Sequence, residues 1–290
     1  MKKVLGVDIG GTKIRMGIID AKGQVLVDEK IPTEFPLYPY LEQQILRLLE
    51  LHTEIEAIGI GTHGFVDPQK GRVIYATETL PGWTGTDVKG QLERATGKRV
   101  EVENDANSAA LAEAKFGAAK GYSRVVCLTL GTGLGGGIIW DGKLLSGGPH
   151  GGAAEVGHMI LYPNGVHCTC GRLGCFEQYV SGTALQRRIA EAGLNISPSE
   201  LFATADNNPQ AMKVVKEFTA DLAQIVSTLQ AIFDMEVVVI GGGVSESAGF
   251  WWPIFTEQLE PLLLNPLEIK IAQFENEAGI LGAALLVLEP

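Results

Sequence analysis

Val125-Val-Cys-Leu-Thr-Leu-Gly-Thr-Gly-Leu-Gly-Gly-Gly-Ile-Ile-Trp-Asp141 is an apolar run, a glycine-rich turn and a second apolar run that ends in an acid. The same order opens the chain 121 positions earlier, as Val4-Leu-Gly-Val-Asp-Ile-Gly-Gly-Thr-Lys-Ile-Arg-Met-Gly-Ile-Ile-Asp20. Laid over one another without a gap, Gly10 meets Gly131, Ile18 meets Ile139 and Asp20 meets Asp141. Short apolar runs bounded by turn residues read as strands. Asp20-Ala-Lys-Gly23 and Asp141-Gly-Lys143 add a second turn to each copy, after which Gln24 to Ile31 and Leu144-Leu145 resume. One unit of three strands thus occurs twice, which predicts two related lobes facing each other across a cleft. A strand, not a helix, follows the glycines in both copies, so neither a P-loop nor a dinucleotide-binding fingerprint fits.

Outward from the two copies, helices and strands alternate. Tyr40 to Leu51 carries leucine and isoleucine at helical spacing, and Glu56 to Gly61 reads as a strand closed by Gly61-Thr-His-Gly64. Thr86 to Thr96 reads as a helix, Arg99 to Glu103 as a strand, and Ala106 to Phe116 as a helix opened by Asn104-Asp105. Downstream, Ser181 to Ala192 and Gln210 to Ile232 read as helices, with 193–208 as loop holding a short helical turn. Glu236 to Ile240 reads as a strand closed by Gly241-Gly-Gly243. Glu277 to Leu288 is a last helix, with Gly279, Gly282, Ala283 and Ala284 for close packing. The class is α/β. The expected lobes are a smaller one, 1–118 with 276–290, and a larger one, 119–275.

Of the 290 residues, 46% are hydrophobic and 20% charged, which describes a soluble, well-packed protein. A net charge of -11 and a pI near 5.0 argue against a general binder of nucleic acid or anionic membrane. The opening Met1-Lys-Lys-Val-Leu-Gly-Val-Asp8 is no signal peptide, because Asp8 cuts its apolar run short. No apolar stretch approaches the roughly 18 residues that span a bilayer. The cysteines are expected to be reduced and the compartment cytoplasmic.

Backbone N–H groups on a glycine turn form a concave anion cradle, although most single glycine turns are only tight hairpins. The pairing at a repeat offset favours cradles here. Gly10, Gly11, Thr12 and Lys13 in one turn, with Gly131, Thr132 and Gly133 in the other, are expected to hold adjacent phosphates of a nucleotide. Gly241, Gly242 and Gly243 would let a flat adenine ring approach the backbone. Asp8, at the end of the first strand, suits Mg²⁺ held through water, or is a solvated strand-end acid. Asn104 and Asp105 are favoured helix N-caps. Read functionally, Asp105 is a base for an attacking hydroxyl and Asn104 orients the substrate.

Cys168, Cys170 and Cys175 crowd too tightly for an ordinary disulfide pair, and with one histidine they make the ligand set of a closed tetrahedral Zn²⁺ site. Spacing leaves two histidines open, His158 ten positions upstream and His167 adjoining Cys168, with His158 preferred for the acid three residues before it. A four-ligand site has no open position, so this metal would be structural. Glu155, His158 and Glu177 bracket the stretch and suit the many hydroxyls of a sugar.

Together Asp8-Ile-Gly-Gly-Thr-Lys13, Asn104-Asp105, Leu130-Gly-Thr-Gly-Leu-Gly-Gly-Gly137, Glu155-Val-Gly-His158 and Cys168-Thr-Cys-Gly-Arg-Leu-Gly-Cys-Phe-Glu177 resemble the ROK family of repressors, open reading frames and kinases, nearly end to end. The resemblance implies a two-lobed actin/hexokinase-like (ribonuclease H-like) fold and, for kinase members, transfer from ATP with Mg²⁺ to a sugar hydroxyl. It implies Asp105 as catalytic base and Asn104, Asp105, Glu155, His158 and Glu177 as the sugar site. It implies His158, Cys168, Cys170 and Cys175 as ligands of structural Zn²⁺, and a homodimer or homotetramer. Two positions depart from the family: His63 stands where many members have proline, and Ala154 where glycine often precedes the acid. The expectation is a kinase acting on the 6-hydroxyl of glucose. The alternatives are an N-acetylglucosamine or N-acetylmannosamine kinase, another phosphoryl donor (polyphosphate or ADP), a silent sugar-binding module, or a sugar-sensing repressor. The seven residues before Asp8 are too few for a repressor's DNA-binding domain, and the acidic charge also favours the enzyme.

Overall fold

The computed structural model describes residues 2–148, 150–274 and 277–288. Its first half runs β1 (Lys3–Ile9), β2 (Lys13–Asp20), β3 (Val25–Pro32), α1 (Leu37–Leu51), β4 (Ile55–Thr62), a small hairpin of β5 (Phe65–Asp67) and β6 (Arg72–Tyr75), α2 (Val88–Thr96), β7 (Arg99–Asn104) and α3 (Asp105–Lys115). Its second half runs β8 (Val125–Leu130), β9 (Leu134–Trp140), β10 (Lys143–Leu144), α4 (Gly182–Glu191), α5 (Pro198–Thr204), α6 (Pro209–Phe233), β11 (Val237–Gly241), α7 (Ala248–Leu259), β12 (Glu268–Ile271) and α8 (Ala278–Leu288). The doubled unit becomes two five-stranded sheets of one design, β3-β2-β1-β4-β7 and β10-β9-β8-β11-β12. In each, an antiparallel meander continues into parallel strands.

The copies differ by one residue. Val4 pairs with Ile19, but Val125 pairs with Ile139. The first turn closes from Gly10 N–H to the carbonyl of Lys13, the second from Gly131 N–H to the carbonyl of Gly133, both at 3.0 Å. The gapless overlay therefore holds only up to the glycines. Beyond them Ile19, not Ile18, is the counterpart of Ile139. In a strand such a slip exchanges the two faces, so packing decides the register where residue types look alike.

Helices and sheets stack in layers. Leu41, Ile45 and Leu92 of α1 and α2 pack with Leu5, Val7, Ile58 and Ile60 on one face of the first sheet. Ile280, Leu281, Ala284 and Val287 of α8 cover the other face with Val4, Ile19 and Ala57. A Cβ on Gly59 would collide with the backbone of Ala283, and one on Gly282 with the backbone of Ser108. The expected close packing of α8 is thus backbone contact with the sheet on one side and α3 on the other. Ala110 of α3 packs in turn with Val125, Cys127, Ile139 and Val237 of the second sheet. The far face of that sheet carries Val126 and Leu128 against Leu185, Phe218, Leu222 and Trp251 of α4, α6 and α7.

Four expectations are corrected. Residues 193–208 hold a formed helix, α5, opened by a reciprocal cap between Ser197 and Glu200. The hairpin β5–β6, the edge strand β12 and α7 stand where no element was expected, α7 despite Pro253 inside it. α1 starts three residues early, at Leu37, with Pro39 in its first turn, where proline is tolerated. α2 starts two residues late, at Val88, because Asp87 caps it by accepting from the N–H of Gly90. The expected return to the smaller lobe at 275/276 lies outside the described residues. Among the described residues no helix is long and apolar enough to cross a membrane.

Candidate active site

Parallel strands bring their carboxyl ends to one edge of a sheet, where loops collect ligand-binding groups. In the first sheet Ile9 pairs with Thr62, and Thr62 with Asn104. The first glycine turn, His63 and Asp105 therefore leave the sheet side by side. In the second sheet Thr129 pairs with Gly241, which brings the second turn beside the run Gly241–Gly243.

Both turns are braced from behind. Thr33 donates its N–H to the carbonyl of Thr12 (3.1 Å) and its hydroxyl to that of Gly10 (2.8 Å). At the second turn, Gly182 donates its N–H to the carbonyl of Gly131 (2.8 Å) and Thr183 its hydroxyl to that of Thr132 (2.8 Å). Gly10 and Gly131 spend their own N–H on turn closure, so they shape the cradles. Among the described residues, Gly11, Thr12, Thr132 and Gly133 keep N–H groups for an anion. Thr12, Lys13 and Thr132 are exposed there. Gly242, at φ 86°, sits against the backbone of Leu130, the residue before the second turn. Gly243 has nothing within 4 Å of its missing Cβ, which leaves flat backbone open to a ring.

Asn104 caps α3. Its Oδ1 accepts from the N–H groups of Ala106 (2.9 Å) and Asn107 (3.1 Å), and its Nδ2 donates to the carbonyl of Gly64 (3.0 Å). One amide hydrogen remains for a substrate. Asp105, half-buried at the first helical position, accepts from the N–H of Ala106 at one oxygen (2.9 Å).

Electrostatics connect the remaining acids through Asp105. Burial, then the charge of Asp105, pushes the Asp8 carboxyl up to about 7, against the pull of Lys13 and Arg15. Burial, then Asp105 and Glu177, pushes Glu155 up to about 7. Glu177 accepts from the N–H of Leu134 (3.2 Å), and a Cβ on Gly133 would collide with its carboxylate. Glu177 therefore abuts the second turn, while its charge opposes the burial that lowers His158. Asp8, Asp105, Glu155, Glu177 and His158 form one series from the first turn to the cysteine loop. Such a concentration of carboxylates favours a cation or hydroxyl donors, and perturbed carboxyls in a cleft mark functional sites.

His158, Cys168, Cys170 and Cys175 bring one ligand atom each within 4.8 Å of one another. Nδ1 of His158 lies 3.7 Å from Sγ of Cys168, and the sulfurs of Cys170 and Cys175 are 3.6 Å apart. A tetrahedral ion with bonds of about 2.0–2.3 Å needs ligand separations of ~3.5–3.8 Å, which these two separations match, and the donor set of three sulfurs and one imidazole is of the kind that holds such an ion. Burial lowers the pKa of the His158 ring, which favours the neutral form that ligation requires. His167 instead bridges backbone-to-backbone with Leu173 and is not among the four.

Sequence reasoning gave no role to Thr183, Glu103 or Thr33. Glu103 is 3% exposed and accepts from the N–H of Asn104 (2.8 Å) and Nδ2 of Asn107 (3.1 Å), which steadies the Asn104-Asp105 corner from below. Nothing local distinguishes it from Glu101, two residues earlier and more open to solvent.

A family model described as ROK family matches residues 4–290. The chain is 37% identical to a glucokinase of Streptomyces coelicolor, covering 100% of this chain and 99% of that one. It is 35% identical to an N-acetylmannosamine kinase of Vibrio cholerae, covering 97% and 98%. Its fold superposes with a TM-score of 0.81 on a ROK family glucokinase of Streptomyces griseus in complex with glucose and AMPPNP, at 35% identity over 98% of both chains.

Proposed function

Since the chain belongs to the ROK family, with the α/β fold of its actin/hexokinase-like kinases, we propose that it is an ATP-dependent hexose kinase that phosphorylates glucose at the 6-hydroxyl. The observation that carries this reading is the position of Asp105. Its charge reaches Asp8 beside one glycine turn and Glu155 of the sugar-binding set, so a single carboxylate joins the two halves of the cleft.

The 6-hydroxyl gives its proton to the free oxygen of Asp105 as its own oxygen attacks the γ-phosphorus. The bond from that phosphorus to the β–γ bridging oxygen breaks, and ADP leaves with the electron pair. Little covalent work falls to the protein, so its contribution is positioning and charge stabilisation. N–H groups of Gly11, Thr12, Thr132 and Gly133, with Lys13, hold the phosphates, and Gly243 faces the adenine. Glu155, Glu177 and His158 take the sugar hydroxyls. Asp8 would hold Mg²⁺ through water, which neutralises phosphate charge. His158, Cys168, Cys170 and Cys175 would hold structural Zn²⁺, which fixes the His158 ring. We infer two lobes, 1–118 with 276–290 and 119–275, that close over both substrates. A cytoplasmic homodimer or homotetramer belongs to the same reading. Likeness to N-acetylmannosamine kinase keeps N-acetyl sugars in the substrate panel.

ADP release measured across glucose, mannose, N-acetylmannosamine and N-acetylglucosamine tests the substrate, with glucose giving the highest kcat/KM. Asp105→Asn keeps sugar affinity within a few-fold and lowers kcat by about 10²–10⁴. Persistent turnover in that variant removes Asp105 as the base.

A further inference from the structure

We propose that His63 determines acceptor specificity: its ring contacts the sugar beside the phosphorylated hydroxyl and selects the configuration at C4. The inference rests on the hexose-kinase reading and extends it.

Placement comes first. His63 follows Thr62, the last residue of β4, whose neighbours in register are Ile9 and Asn104. Its N–H donates to the carbonyl of Ile9 (3.3 Å), and the carbonyl of Gly64 accepts from Asn104 (3.0 Å). The backbone at 63–64 is therefore tied on one side to the residue before the phosphate turn and on the other to the residue before Asp105. Gly64 adopts φ 109° against the carbonyl of Tyr75, a corner that a residue with a Cβ does not fit.

The ring is also held. Nε2 of His63 lies 3.1 Å from Oγ1 of Thr77, and Thr77 lies 2.7 Å from Oγ1 of Thr79. Thr79 rests on the first turn, its Cβ 3.3 Å from where a Cβ on Gly11 would stand. These three polar side chains make a wall from the Asn104 corner to the phosphate turn. Among the described residues Nδ1 of His63 has no hydrogen-bond partner, and the residue is only half-buried, so this nitrogen is open to a ligand.

Sugar stereochemistry does the rest. With O6 at Asp105, C6 joins the ring at C5, whose ring neighbours are C4 and the ring oxygen. On the hexose-kinase reading, Glu155, Glu177 and His158 take the hydroxyls remote from C6, on C1 to C3. The nearest hydroxyl on the His63 side is the one on C4. An imidazole nitrogen exchanges one hydrogen bond with it, whereas proline at this position offers none. A site that bonds a hydroxyl discriminates against the analogue that lacks it.

The test compares wild type, His63→Ala and His63→Gln on glucose, 4-deoxyglucose, galactose (inverted at C4) and mannose (inverted at C2). Both kcat/KM and calorimetric binding to the nucleotide-free protein are measured. We expect His63→Ala to lose about 10- to 100-fold on glucose and less than about 3-fold on 4-deoxyglucose. The glucose-to-mannose ratio stays constant, and His63→Gln recovers part of the loss. An equal loss on all four sugars, or an unchanged glucose-to-4-deoxyglucose ratio, overturns the proposal. A wild type that phosphorylates no hexose sinks the kinase reading instead, and the binding ratios then still decide the role of His63.

Discussion

Ala154 holds φ at 64°, left-handed for a residue with a Cβ, one position before Glu155. That backbone costs alanine roughly 1–2 kcal/mol and glycine almost nothing. The departure noted in the sequence is thus a strained one. Ala154→Gly should raise Tm by about 1–3 °C in a thermal melt, because the relief exceeds the entropy glycine adds to the unfolded chain. Glu155 carries a pH dependence. Its folded pKa of about 7 stands above the unfolded one of about 4.3, so between these values the folded state binds the extra proton. Its contribution to stability is full below about pH 4 and is lost as pH rises through 7. Asp8 behaves alike. Melting of ligand-free protein from pH 5 to 8 should show a Tm that falls more steeply in wild type than in Glu155→Gln; parallel curves reject the perturbed carboxyl. The identities of Asp105, Glu155 and Glu177 were readable as motif positions, but the raised pKa of Glu155 was not, because burial is a property of the fold.

The cysteine loop is the element where local spacing said most. Gly171 (φ 86°) and Gly174 (φ 77°) turn the chain so that three sulfurs converge. The loop ends at Glu177, and His158 lies ten residues before its first cysteine, so the metal would brace both groups that we propose to hold the sugar. Cys168→Ala should release one equivalent of zinc to a colorimetric chelator and weaken sugar binding by about 10-fold, read by calorimetry. Wild type purified without zinc would contradict the ligand set. α5 and α7 show what local reading loses. Ser197-Pro-Ser-Glu200 is a capping box, yet the Asn, Pro and Ser around it suggest loop. Pro253 speaks against a helix, but Trp251, Phe255 and Leu259 are fully buried, and that packing outweighs the lost hydrogen bond.

At the scale of the molecule, the chain crosses between the sheets after α3 and again before α8, and one buried carboxylate holds both crossings. Glu113, 3% exposed, accepts from the N–H of Ala118 (2.8 Å) on the first crossing and from those of Gln273 (3.1 Å) and Phe274 (2.7 Å) on the second. Glu113→Gln cannot accept at both side-chain positions, so its NH2 group meets either the N–H of Phe274 or those of Ala118 and Gln273, which should cost on the order of 3 kcal/mol. Hydrogen exchange at amides 118, 273 and 274 should quicken together. Opening at 273–274 with 118 still protected would show that the crossings are not joined there. Residue order alone determined the doubled hairpin, the two glycine turns and the cysteine cluster, because each is a matter of neighbours and spacing within about 20 residues. Tertiary structure alone decided the one-residue slip between the copies and the meeting of Asp8, Asp105 and Glu155. Those depend on which distant surfaces exclude water from one another, and no local pattern encodes that.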